Sequence, residues 1–350
     1  MNKIRFREIC ETVPGIDNKS LPVKSIRIGI RYVTRVAGYS LSIKIIAFIL
    51  RLFNVVRISR LSKYLVYLLK INKHRLSYLH CLAKNDLLGA AQNKIIWAEI
   101  ASEVSMSRVS RCMAREYLHL LSSYGLADPS HSRSTPKTVN RSSHKFYLYG
   151  PNAKNAPRHD YEDYTLVLTK PIDTDISKFK DKQLFINSSY FNEVVIKDCD
   201  VSNRLIEEFG IVYVHCRESN LSKPFKRAKF PLGDNIAGPM ALGRILYNLI
   251  QEYGEFTCVI EGFDFYLDRQ GYQGYYPSLF RNSSNTTREQ IICSGLANHD
   301  ALYNFLYVKK KAENLNILDS REFKKILKLS GEGYLSELAK TRNFRSLCYL

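Results

Sequence analysis

The sequence predicts an α/β fold with a mostly parallel sheet over its C-terminal part, preceded by a basic, all-α N-terminal region. Beyond residue 146, runs of β-branched and aromatic residues alternate with stretches of helical spacing, an order typical of parallel α/β domains. Residues 1–145 carry 25 Lys and Arg against 8 Asp and Glu, a net charge of +17, whereas residues 146–350 carry 27 against 25. A hydrophobic content of 45% is enough for a sizeable core and excludes wholesale disorder.

The N-terminal region, residues 1–127, is predicted to be helical and to face an anionic surface. Within residues 40–71, Lys and Arg recur mostly three or seven positions apart among large apolar residues, which on a helix places a cationic stripe opposite a broad apolar face. No acid occurs in residues 24–75. These features favour an interfacial helix on an anionic membrane, and the alternative is a core-facing helix with a solvated basic face.

The same region contains no candidate membrane span. Its longest apolar run, Ile45–Leu50, has six residues, whereas a spanning helix needs about 20. The first 20 residues are charged throughout and contain no apolar stretch of the kind found in secretory signals. We therefore predict a cytoplasmic protein that is peripheral on the inner face of the membrane.

Residues 85–127 are predicted to be helical, and residues 97–126 resemble a winged helix-turn-helix. A short helix at Trp97–Ala101, a turn, and a second helix starting near Ser107 have the spacing of that motif, with the basic loop that follows as its wing. Many helical pairs share this spacing, so a nucleic-acid partner is the less favoured interpretation. Residues 128–145 are rich in Ser, Arg and Pro and predict a linker.

Six apolar runs beyond the linker predict strands, and two stretches of helical spacing predict helices. The strands are 146–149, 164–169, 183–187, 194–196, 211–215 and 256–260, and the helices are 201–209 and 240–253. Ligands of a parallel α/β sheet bind outside the carboxyl ends of the strands, so the loops after 149, 186 and 261 form the candidate site. The eight cysteines contain no CxxC pair and no metal-ligand spacing, which predicts reduced thiols and no metal site.

These loops contain the residues that are candidates for chemistry. A Gly-Phe-Asp-Phe-Tyr turn, ending at Tyr266, follows the strand 256–260, and Tyr272 comes six residues later. His299 begins a stretch with apolar residues at helical spacing. The other candidates, which follow strands or lie near the start of a helix, are Gly150, Pro151, Asn152, Asn187, Gly243, Gly262 and Asp264.

Together these residues resemble the sialyltransferases, most closely the bacterial lipooligosaccharide sialyltransferases of glycosyltransferase family 42 and more distantly the animal enzymes of family 29. The resemblance covers residues 146 to about 325. It implies a Rossmann-like sheet of the sialyltransferase type, with residues 146–350 as the catalytic domain. It also implies a CMP-activated sugar as the donor substrate and no metal or other cofactor.

The resemblance implies a role for each candidate. Tyr266 and Tyr272 would donate hydrogen bonds to the departing phosphate, where negative charge develops. His299 would be the general base that takes the proton of the acceptor hydroxyl, a task suited to a side chain that titrates near neutral pH. Asp264 is expected to brace its turn through a side-chain hydrogen bond. The resemblance implies that the nucleotide sugar is bound by Gly150, Pro151, Asn152, Asn187, Gly243, Gly262 and Asp264.

Three positions depart from the families' pattern. Tyr149 stands where family 42 has an Asn in the first loop, and Leu242 where it has the Ser that holds the sugar carboxylate. Asn304 stands where family 29 has an acid. These changes leave room for another CMP-activated acid sugar, such as Kdo, or for a different nucleotide. Asp198-Cys199-Asp200 has the DxD pattern of metal-binding glycosyltransferases, but it lies away from the nucleotide loops and no metal is expected there.

The predicted function is transfer of an acid sugar from a CMP donor to a hydroxyl of a glycan or glycolipid acceptor. Residues 267–298, rich in Gly, Tyr, Ser and Asn, are interpreted as a lid that orders over the bound donor. Two other functions stay open. One is a DNA-binding winged-helix regulator whose C-terminal domain senses a sugar nucleotide, and the other is a catalytically inactive glycan-binding protein.

Overall fold

The structure, a computed structural model, describes most of the chain beyond residue 84. The described residues are 70, 73–74, 77–78, 80–82, 84–104, 108–128, 130, 141–153, 155–172, 174–187, 191–215, 225–228, 240–267 and 299–341. The chain divides into two compact units, the first made of residues 1–132, 233–236 and 344–350 and the second of residues 133–232 and 237–343. The predicted membrane-facing helix lies almost wholly outside the described residues, as do Tyr272 and nearly all of the predicted lid.

In the first unit, helix α1 (Leu87–Val104) and helix α2 (Arg108–Ser122) pack against each other. Helix α1 buries small side chains such as Ala98 and Ala101, which allow a neighbouring backbone to approach closely. Helix α2 is amphipathic and buries one face, including Tyr117. The helices expected over this part of the chain are therefore confirmed. Across the residues that the structure describes, no helix combines the length and the apolar character that a membrane crossing requires.

The second unit contains, within the described residues, a parallel sheet of seven strands flanked by helices. The strands are β1 (Arg141–Tyr149), β2 (Thr165–Leu168), β3 (Lys182–Asn187), β4 (Ile211–His215), β5 (Phe225–Arg227), β6 (Glu255–Glu261) and β7 (Asn316–Leu318). The helices are α3 (Cys199–Glu208), α4 (Ala241–Tyr253), α5 (Ala301–Ala312), α6 (Arg321–Leu327) and α7 (Gly331–Thr341). The strand order is β5-β4-β3-β2-β1-β6-β7, and every neighbouring pair is parallel. The prediction of an α/β fold with a Rossmann-like parallel sheet is confirmed.

The main differences from the predicted elements concern short segments. Residues 194–196, predicted as a strand, belong to a π-helical turn at Phe191–Val195 and the residue after it. Its apolar residues Phe191 and Val195 are four positions apart, about one helical turn, and both are buried, so one side of this turn faces the core. Strands β5 and β7 were not predicted, because neither of these three-residue segments is a continuous apolar run. Strand β1 starts at Arg141, inside the segment predicted as a linker.

Alternating side chains of the strands point to two different faces of the sheet. One face carries a core of apolar and aromatic residues from five strands and from the segments that follow β1, β2 and β3. Its members are Tyr147, Tyr149, Tyr161, Leu166, Leu168, Phe179, Leu184, Ile186, Phe191, Leu205, Val212, Val214 and Val259. The opposite face carries Phe146, whose ring lies 5.2 Å from that of Tyr253 on helix α4. Both faces are therefore covered, as expected for a fully parallel sheet.

Candidate active site

The predicted loops lie where the order in which strands join the sheet changes from one side of β1 to the other. From β1 the chain adds β2, β3, β4 and β5 on one side, and then β6 and β7 on the other side. Strands β1 and β6 are therefore neighbours at the topological switch point, where open α/β sheets bind their ligands beyond the carboxyl ends of the strands. Tyr149 pairs with Glu261 at that end of the sheet. The loop 150–153 and the turn 262–267 thus lie side by side at this edge.

Two glycines allow these segments to touch through their backbones. The amide of Gly150 donates to the carbonyl of Glu261 at 2.7 Å, and the amide of Asn152 donates to that of Gly262 at 3.0 Å. A Cβ atom on Gly150 would lie 2.5 Å from the Gly262 oxygen. Gly262 has φ +72°, and a Cβ atom there would lie 2.3 Å from the amide nitrogen of Ala153. Both positions require glycine because the two backbones are in contact.

The turn that ends at Tyr266 has an unusual backbone. Phe265 and Tyr266 have φ values of 51° and 67°, in the left-handed region that side chains other than glycine rarely adopt. The Oδ1 atom of Asp264 accepts a hydrogen bond from the Tyr266 amide at 3.0 Å, which confirms the bracing role predicted for Asp264. Its Oδ2 atom accepts from the side-chain amide of Asn152 at 2.5 Å. The structure therefore joins two residues that were predicted separately.

Phe265 anchors this turn to the helices. Its ring centroid lies 5.5 Å from that of Phe305, 6.0 Å from that of Phe323 and 6.4 Å from that of Tyr334. The Tyr334 hydroxyl also donates to the Phe265 carbonyl oxygen at 2.9 Å. Helices α5, α6 and α7 each contribute to this cluster, and Tyr266 is itself 8% exposed. The turn is thus held from the helical side by aromatic packing and one buried hydrogen bond.

His299 lies at the start of helix α5, one residue before its N-cap. The N-cap is Asp300, whose Oδ1 atom accepts from the Tyr303 amide at 2.8 Å. Asn304 is fully buried, donates to the Asp300 carbonyl and accepts from the Met240 amide, both at 2.8 Å. A carboxylate could not donate to Asp300, so an amide suits this position better than the acid of family 29.

Asn304 thereby links the N-termini of two helices. Met240 is the N-cap of helix α4, in whose first turn Leu242 and Gly243 are buried. Helices α4 and α5 lead directly into β6 and β7, so their N-termini lie at the carboxyl edge of the parallel sheet. The positive ends of their dipoles favour an anionic ligand at this edge.

A cluster of phenols and carboxylates on the other face of the sheet was not predicted. The Tyr147 hydroxyl donates to the Glu261 carboxylate at 2.6 Å and accepts from the backbone amide of Arg158. The Nε atom of Arg158 also lies 3.6 Å from the Glu261 carboxylate. Burial and the Glu261 hydrogen bond raise the pKa of Tyr147. Tyr161 donates to Asp319, and burial together with this hydrogen bond raises its pKa to about 12. Tyr147 and Glu261 are 114 residues apart, so no local pattern could have paired them.

The remaining predicted residues are less tightly grouped. Pro151 is half-buried in the loop after β1, and Asn187 ends β3, two strands away from β1. Asp198 caps helix α3 by accepting from the amides of Asp200 and Val201. Within the part of the chain that the structure describes, no group of three His, Cys, Asp or Glu residues could hold a metal ion.

Comparison with family models, curated proteins and solved structures finds no significant match to this chain.

Proposed function

We propose that the chain is a glycosyltransferase that moves an acid sugar, such as sialic acid or Kdo, from a CMP donor to a hydroxyl of a glycan or glycolipid. One observation supports this above the others. The loop 150–153, the turn that ends at Tyr266 and the start of helix α5 at His299 are far apart in sequence, yet all three lie at the carboxyl edge of the sheet. That edge is where a nucleotide binds in folds of this kind.

The proposed reaction breaks the bond between the anomeric carbon and the phosphate oxygen, and forms a bond from that carbon to the acceptor oxygen. Tyr266 and Tyr272 donate hydrogen bonds to the phosphate as its charge develops. His299 takes the proton of the acceptor hydroxyl. The N-termini of helices α4 and α5 stabilise the anionic donor, and no metal is required for these steps.

We further propose that the basic N-terminal region holds this domain at an anionic membrane surface, where a lipid-linked acceptor resides. The support is the net charge of +17 over residues 1–145 and the acid-free stretch of residues 24–75. Binding to vesicles with and without anionic lipid tests this point. Equal binding to neutral vesicles would argue against it.

The test of the main proposal is transfer from CMP-linked sialic acid and CMP-linked Kdo to glycan acceptors, with a thermal-shift panel of CMP, UDP and GDP. We expect CMP to raise the melting temperature, because a ligand at 100 times its Kd adds about 2.7 kcal/mol of apparent stability. We expect His299→Ala to abolish transfer and to keep CMP binding.

A matched control is His159→Ala, which removes a half-exposed histidine that is paired with Glu162 and has no role in the proposed steps. This variant should keep wild-type turnover. Stabilisation by UDP or GDP but not by CMP would reject the CMP donor, and undiminished turnover of His299→Ala would reject the assigned base. CMP binding without donor hydrolysis or transfer would favour an inactive binding protein.

A further inference from the structure

A pair of side chains joins the two loops of the candidate site. Asn152 comes from the loop after β1 and Asp264 from the turn after β6, 112 positions later in the chain. The Asn152 amide donates to one carboxylate oxygen of Asp264, and the other oxygen accepts from the backbone amide of Tyr266. The carboxylate is therefore held at both oxygens, and its orientation depends on the neighbouring loop.

The Asp264 carboxylate stabilises a backbone segment whose conformation is unfavourable on its own. Phe265 and Tyr266 both occupy the left-handed region, a conformation that persists for such side chains only where the surroundings hold it. Packing of the Phe265 ring and the hydrogen bond from Tyr334 hold the first of the two residues. The hydrogen bond from the Tyr266 amide to Asp264 holds the second.

We propose that Asn152 and Asp264 form a positioning clasp that sets the Tyr266 phenol only when the loop 150–153 is seated against the turn. Asn152 then acts through Asp264 on Tyr266. This positioning role replaces the nucleotide contacts that the family resemblance implies for the two residues, and neither of them is itself catalytic. This inference rests on the proposed function, in which Tyr266 meets the departing phosphate. The clasp would couple the loop 150–153, which receives the nucleotide, to the Tyr266 phenol, which stabilises the departing phosphate.

The hydrogen-bond chemistry predicts an asymmetric response to substitution. Asn152→Asp places two carboxylates against each other and removes the donor. Asp264→Asn is milder, because the new amide still accepts from Tyr266 and can donate to Asn152 once the Asn152 amide rotates. In the double variant N152D/D264N, the amide at position 264 donates to the carboxylate at position 152, and the clasp is restored with its donor and acceptor exchanged.

The experiment measures kcat at saturating CMP donor, and CMP binding by titration, for the wild type, N152D, D264N and N152D/D264N. We expect N152D to lower kcat about 10- to 100-fold, the range for loss of a charge-assisted hydrogen bond. The double variant should recover to within about threefold of D264N, while the Kd for CMP changes by less than about threefold throughout. Asn155→Asp, which adds the same charge at an exposed position of the same segment, is the matched control and should behave as the wild type.

Two outcomes overturn the clasp. One is a double variant no more active than N152D, and the other is a Kd for CMP that rises in step with the loss of activity, since Asn152 would then contact the nucleotide itself. If N152D does not fold, Asn152→Ala replaces it, and an unchanged kcat in that variant overturns the clasp as well. A wild type that neither binds CMP nor transfers sugar rejects the proposed function instead. In that case the pair is tested by denaturation, where N152D/D264N must be more stable than N152D.

Discussion

The switch-point edge is held by two clusters of opposite character. On the helical side, the aromatic cluster of Phe265, Phe305, Phe323 and Tyr334 fixes the turn by packing, with one buried hydrogen bond to a backbone carbonyl. On the other face, the phenol–carboxylate cluster of Tyr147, Arg158, Tyr161, Glu261 and Asp319 is linked by charged hydrogen bonds, and several of its members are partly exposed. Burial of the three phenylalanine rings responds little to pH, whereas phenols held against carboxylates respond at alkaline pH. The two clusters should therefore fail under different conditions.

The largest expected effect is on the aromatic cluster. Phe265→Ala removes a ring that is 6% exposed and that contacts three helices, so we expect the free energy of unfolding to fall by about 3–5 kcal/mol. Urea denaturation measures this loss. Phe225→Ala, on the short and only partly buried strand β5, is the matched control and should cost clearly less. Equal losses for the two variants would mean that the turn is not anchored by Phe265.

The second prediction separates packing from hydrogen bonding within the same cluster. Tyr334→Phe keeps a fully buried ring but removes the donor to the Phe265 carbonyl oxygen. We expect a loss of about 1–3 kcal/mol in the free energy of unfolding, the cost of leaving a buried acceptor without its partner. If Tyr334→Phe is as stable as the wild type, the hydrogen bond contributes nothing and packing alone holds the turn.

The sequence predicted the elements of this edge better than their partners. The strands and the two glycine-containing loops could be predicted from local sequence patterns alone. These patterns are apolar runs for the strands and residues suited to tight turns for the loops. The pairing of Asn152 with Asp264, or of Tyr147 with Glu261, depends on β1 and β6 being neighbours. That adjacency is a property of the strand order, which alternation of strands and helices does not specify.

Asn304 is a second example of a residue whose contacts could not be predicted from the sequence. From the sequence, the resemblance to family 29 leads one to expect an acid at this position, and the chain has an amide there. The structure explains the amide, because Asn304 must accept from Met240 and donate to Asp300 at the same time. In sequence, Asn304 is only a difference from the family pattern. In the structure, the same residue makes two specific hydrogen bonds that link the N-termini of two helices.

The smallest expected effect is on the phenol–carboxylate cluster, and it depends on pH. Tyr161→Phe removes the hydrogen bond to Asp319, an exposed carboxylate that water can solvate, so near neutral pH we expect a loss of at most about 1 kcal/mol. The pKa of Tyr161 is raised to about 12, mainly by burial, whereas an unfolded tyrosine titrates at about 10. A raised pKa in the folded state means that the contribution of Tyr161 is complete below pH 10 and is lost as the pH rises towards 12.

Wild type should therefore lose its advantage over Tyr161→Phe across this alkaline window, while Phe265→Ala, which removes no titratable group, should differ from wild type by about the same amount at every pH where both fold. Denaturation by urea at pH 8, 10 and 11 measures both differences. Tyr147 has a pKa raised in the same direction, so the Tyr161→Phe variant should keep part of the alkaline decline. An identical slope for wild type and Tyr161→Phe would show that folding does not raise the pKa of Tyr161, and the contrast between the two clusters would then rest on Tyr147 and Glu261 alone.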